Sequence, residues 1–168
     1  IKMSTRKAQY ITLDELIEEV GKDVVRYFFI MRGMNTHLNF DMTLAKDESD
    51  ENPVYYLQYA HARLCNILIH ADSQGYKLDE NADLTPLTHN LEINLIKSLL
   101  EFPNLIQKTL VTLEPQNIAN YLQNLATMFH KYYAKERVVT DDTVTTRARL
   151  ILVSALQIVL FNGLTVLG

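Results

Sequence analysis

Cysteine is nearly absent from this sequence: Cys65 is the only one in 168 residues. No disulfide framework can therefore staple the fold, and no cysteine set can hold a metal. A lone thiol fits a reducing, cytoplasmic compartment. Proline and glycine are scarce, at 4 and 5 residues, and each proline sits where a helix could begin. No segment alternates polar and apolar residues as a half-buried strand would. The longest apolar run, Leu150 to Phe161, is broken by Ser154 and Gln157 and is shorter than the roughly 20 residues of a bilayer span. An excess of positive charge is also missing. The net charge of −4 excludes a generic nucleic-acid binder, so a polyanion would have to meet local patches. There is no initiating Met and no basic stretch leading into an apolar one, so a signal peptide is not expected. Gly168 follows Leu164-Thr165-Val166-Leu167 without a polar tail, and both ends read as boundaries inside a longer protein.

What is present is helical. Thr12 followed by Glu15 has the form of a capping box, with Leu13, Leu16, Ile17 and Val20 on one face and Gly21 as a stop. Asp23 can cap a short helix reaching about Arg32, and Asp41 a brief one before the acidic block of Asp47, Glu48, Asp50 and Glu51. Asn52-Pro53 pairs a cap residue with a proline whose missing N–H is not needed there, which predicts a long helix ended by Gly75. Thr85-Pro86, Pro103 and Pro115 each read as a further helix start, and Asp141-Asp142 lead into the last helix. The fold class is all-α, an antiparallel helical bundle with short connections. No repeat of 20–50 residues is visible.

Charge and aromatic placement single out two segments. In a helix from Asn52, Tyr56, Tyr59, Arg63, Asn66 and His70 fall on one stripe, apart from the apolar face of Val54, Leu57, Leu64 and Ala71. Aromatic and guanidinium planes on an exposed stripe suit unstacked RNA bases and phosphates. The plainer reading, tyrosines packed between helices with bonded hydroxyls, is preferred for Tyr55 and Tyr56. In the second segment Phe129 reads as core. Tyr133 is a candidate stacking platform, with Lys135 and Arg137 as phosphate-positioning cations. His130 reads as a packed histidine. Nothing pairs it with a nucleophile, and no ligand spacing links the five histidines.

Four strings carry a family resemblance. Lys2-Met3-Ser4-Thr5-Arg6-Lys7, followed by Thr12-Leu13-Asp14-Glu15-Leu16, resembles the KMSKS loop of class I aminoacyl-tRNA synthetases, with Thr5 in place of the second lysine. Asp23-Val24-Val25-Arg26 is similar to the D-x-x-R core that gives the DALR anticodon-binding domain its name, and the plainer reading, a helix-capping Asp23 with Arg26 paired to an acidic neighbour, is preferred for these two residues. Asn52 to Arg63 and Phe129 to Val138 resemble the anticodon-domain helices of arginyl-tRNA synthetases, more closely than those of the cysteinyl or methionyl enzymes.

The resemblance implies an end piece of the catalytic region over 1–40 and an anticodon-binding bundle over 41–168. It implies tRNA contacts at Tyr59, Arg63, Tyr133 and Arg137, and an ATP-binding loop at Lys2, Met3, Ser4 and Arg6. The parent enzyme would join L-arginine to its tRNA through an adenylate, using ATP with Mg2+. The HIGH motif would lie in a catalytic domain upstream, so the segment itself would hold no catalytic residue, cofactor or metal. A helical protein-interaction module is the alternative from another class, and its mark would be a contiguous exposed apolar patch.

Overall fold

The computed structural model describes residues 11–33 and 36–168. The KMSKS-like residues Lys2, Met3, Ser4 and Arg6 lie outside the described residues. Seven helices are found among those described, and no strand: α1 (Leu13–Val20), α2 (Lys22–Ile30), α3 (Met42–Lys46), α4 (Pro53–Ser73), α5 (Asn90–Thr112), α6 (Gln116–Tyr133) and α7 (Thr143–Leu167).

Local chemistry sets most of the starts. Thr12 and Glu15 close the expected capping box, with Thr12 N donating to Glu15 Oε2 at 2.8 Å. Gly21 ends α1 at φ 83°, in the left-handed half of backbone space that a side chain disfavours. Asp41 caps α3 by accepting from Thr43 N and Leu44 N. Asn52 caps α4 through Val54 N at 3.0 Å, and its amide donates to the carbonyls of Asp47 and Ala45. One buried side chain thus starts the long helix and anchors the acidic loop before it.

Three helix expectations are corrected. Asp23 is not a cap, because α2 begins at Lys22 after Gly21. Arg26 donates instead to Gly168 O at 2.7 Å, across the fold rather than to an acidic neighbour. Thr85-Pro86 makes a turn, and α5 starts at Asn90, capped by His89 and Glu92. Pro103 does not begin a helix; it lies inside α5. An interior proline removes a backbone bond and costs about 3 kcal/mol. Packing on both sides opposes that cost, since Leu95, Ile96 and Leu99 before it, and Leu105 and Ile106 after it, all join the core. Phe102 also stacks on Tyr121, ring centroids 5.6 Å apart.

The four long helices run up, down, up and down. Antiparallel packing of α4 and α7 follows from Cys65 meeting Gln157 and His61 meeting Phe161. α5 and α6 form a hairpin in which Tyr121 bonds to Ser98 O. α4 and α6 therefore run parallel, and pairs along them advance together: Pro53 with Gln123, Tyr56 with Thr127, Arg63 with His130. Tyr27 and Phe28 of α2 share the core of this bundle. The buried Tyr27 hydroxyl donates to Ala119 O and accepts from Gln123, and burial pushes its pKa up to about 12.

One helix, α7, is long and apolar enough to cross a membrane by length and composition. In this fold it is a bundle helix, burying Leu152, Val153, Leu156 and Leu160. Gly163 lets it approach α6 closely: a Cβ there would stand 2.5 Å from Leu122 Cδ2 and 3.1 Å from its Cγ. Leu122 is fully buried and has nowhere to retreat. Gly163→Val is therefore expected to lower the unfolding free energy by about 1–3 kcal/mol, read by urea denaturation. A variant as stable as the parent would show that the α6–α7 seam has room to spare.

Candidate nucleic-acid interface

The parallel run of α4 and α6 brings the two sequence-predicted segments to one end of the bundle. Tyr59 and Arg63 sit one turn apart on α4, and Tyr133 closes α6. The Arg63 guanidinium carbon lies 4.4 Å from the Tyr59 ring centroid and 5.3 Å from that of Tyr133. Arg63 Nη2 also donates to the Tyr59 hydroxyl. A cation shared by two aromatic faces is held in one orientation at little entropic cost. Tyr59 and Tyr133 remain 43% and 39% exposed, so each still presents ring surface to solvent.

His130 fills the space beneath. Its ring stacks on Tyr59 at 5.9 Å and tilts against Tyr56 and Phe129. Arg63 Nη1 points at His130 Nδ1, 3.3 Å away. A guanidinium can only donate, so Nδ1 must be the accepting nitrogen of a neutral imidazole. Burial, then the Arg63 charge, hold the His130 pKa below its ordinary value against an opposing pull from Asp50. His130 therefore supports Arg63 from below and adds no charge of its own.

Together these residues form one wall of an open groove of about 640 Å³. Asn66, Ile67 and His70 continue it along α4, and Glu136, Arg137, Val138 and Val139 supply the opposite side. Lys131 and Lys135, two residues either side of Tyr133, are exposed. The groove thus combines stacking faces, two arginines and an amide. That inventory suits single-stranded nucleic acid, and no group of three or more His, Cys, Asp or Glu among the described residues could hold a metal.

The profile of the DALR anticodon binding domain matches residues 57–168, the part of the chain that builds this groove. The chain belongs to the DALR anticodon binding domain family. Its relatives agree with the arginyl resemblance of the Asn52–Arg63 string. An arginine–tRNA ligase from Salinibacter ruber is 52% identical over the whole chain, which spans 30% of that protein. A Heliobacterium modesticaldum arginine–tRNA ligase is 48% identical, again over the whole chain and 31% of the relative. Thermus thermophilus arginyl-tRNA synthetase superposes on 97% of the chain with a TM-score of 0.74 and 25% identity, the match covering 28% of that structure. The chain thus spans about a third of the length of the relatives it matches.

Within this DALR domain, all four expected tRNA-contact positions, Tyr59, Arg63, Tyr133 and Arg137, line the same groove. Tyr56 is half-buried, its hydroxyl 3.4 Å from Thr127. Tyr55 departs from expectation. It is exposed and stacks parallel to Tyr59, centroids 6.3 Å apart, instead of packing between helices, because it faces outward on the turn before Tyr59. Sequence reasoning missed Ile67, Val138, Val139 and Glu136 as lining residues. The signal available was weak: Val138-Val139 follow Arg137 in a loop, and loop direction cannot be read from periodicity.

Proposed function

We propose that this chain is the tRNA-binding part of an arginine–tRNA ligase and that its groove receives the anticodon loop. The observation that carries the reading is Arg63 held between Tyr59 and Tyr133 with both rings still open to solvent. A splayed base can stack on either ring while Arg63 or Arg137 meets phosphate or a base edge. The relatives' names and the DALR family support the same assignment. On this reading the whole enzyme joins L-arginine to its tRNA through an adenylate formed from ATP with Mg2+ in the cytoplasm. Residues 1–40, with Lys2, Met3, Ser4 and Arg6 near ATP, would end its catalytic region, and 41–168 would be the anticodon-binding part.

The test is binding of an anticodon stem-loop hairpin from an arginine tRNA. Tyr59→Ala and Tyr133→Ala are each expected to lose about 1–3 kcal/mol of affinity, the worth of one stacked base. Tyr56→Phe should lose far less, since its hydroxyl makes one long contact within the bundle. If both alanine variants stay folded and bind like the parent, the anticodon surface lies elsewhere. One observation favours the protein-contact reading as a second role: Leu110, Val111 and Leu113 stand exposed at the end of α5, and Leu100 near its middle.

A further inference from the structure

Behind the groove lies an ionic cluster that no RNA contact explains. Arg149 of α7 donates through Nε to Glu92 Oε1 at 2.8 Å and through Nη2 to Glu136 Oε2 at 2.9 Å. Its remaining arm, Nη1, donates to the backbone carbonyl of Arg137 at 2.6 Å. His89 Nε2 approaches the other Glu136 oxygen at 3.6 Å. Glu92 is not free to turn away, because its second oxygen accepts from His89 N as part of the α5 cap. One guanidinium fork thus ties α7, the start of α5 and the loop after α6 at a single point. That loop carries Arg137, which lines the groove.

We propose that Arg149 is a positioning residue for RNA binding: by gripping the Arg137 carbonyl and Glu136, it fixes where the Arg137 guanidinium stands at the groove. The inference rests on the reading of the groove as an RNA site. Planarity is what makes arginine necessary. A lysine would keep the charge next to Glu92 but, as a point charge on a flexible stem, could not hold three acceptors in one plane.

The experiment measures binding of the same anticodon hairpin by fluorescence anisotropy at several salt concentrations, with circular dichroism to confirm folding. Arg137→Ala is expected to weaken binding roughly tenfold, the worth of one charge-assisted hydrogen bond, and to flatten the slope of log affinity against log salt by about 0.7, one phosphate on a single strand. Arg149→Lys should weaken binding and flatten the slope in the same direction, and adding it to Arg137→Ala should change neither further. Glu136→Ala supplies the independent arm and keeps the test alive if the lysine variant fails to fold. Removing a negative charge from the rim would by itself tighten phosphate binding, whereas release of the clamp weakens it. Weakening supports the clamp. Tightening by Glu136→Ala, or losses from Arg149→Lys and Arg137→Ala that multiply, would overturn it. If Tyr59→Ala and Arg137→Ala both bind like the parent, the RNA reading of the groove falls first and the inference with it.

Discussion

Arg149→Met is expected to unfold about 3–5 kcal/mol more easily than the parent, the usual cost of removing one partner from a buried ion pair. The Arg149 side chain is 12% exposed and that of Glu92 only 1%. Methionine fills a similar volume but leaves the Glu92 carboxylate in the interior without its counter-ion. It also leaves the Arg137 carbonyl and one Glu136 oxygen without a donor. Tyr132 adds to the difficulty. Its hydroxyl is buried beside the cluster with no well-formed hydrogen bond among the described residues. Burial pushes its pKa up, Arg149 pulls it down, and Glu92 and Glu136 push it up again, so deleting the cation leaves this corner with negative charge alone. The loss should fall when Glu92→Gln is added, because an amide is neutral and can still accept from His89 N. Chemical denaturation of the two single variants and the double variant closes the cycle. An Arg149→Met protein within about 1 kcal/mol of the parent would mean that water already solvates the pair, contrary to the 1% exposure of Glu92.

Hairpin affinity should fall roughly 50-fold between 50 and 200 mM salt, if about four phosphates are neutralised on a single-stranded loop. Two cations, Arg63 and Arg137, line the groove, and Lys131 and Lys135 are exposed in the chain segment around Tyr133. Single-stranded RNA releases about 0.7 counterion per neutralised phosphate, so four contacts and a fourfold change in salt give this factor. The overall charge of −4 does not prevent it, because fields beyond roughly 7–14 Å are screened at these salt concentrations. The acidic residue that lines the groove, Glu136, is already paired with Arg149. Measured affinity that ignores salt would remove the phosphate contacts and turn attention to the apolar face of α5.

The sequence by itself determined those features whose physics is local. Thr12 with Glu15, Asp41, Asn52-Pro53 and Asp142 each announce a helix start, because a cap bonds donors within three residues of itself. The pairing of Tyr59 with Arg63 is local in the same sense, since four residues make one helical turn. The tertiary structure decided everything that depends on which helices are neighbours. Tyr133 reaches Arg63 only because α4 and α6 run parallel, an outcome of bundle topology that no spacing in either segment contains. Pro103 stayed inside α5 because core contacts on both sides outweigh a local rule. Tyr55 and Tyr56 are adjacent and chemically alike, yet one faces solvent and the other faces α6. The Arg149 cluster draws on residues 57 and 13 positions away. A partly buried arginine is indistinguishable in sequence from the exposed Arg147 two places earlier, until packing decides which one loses most of its water.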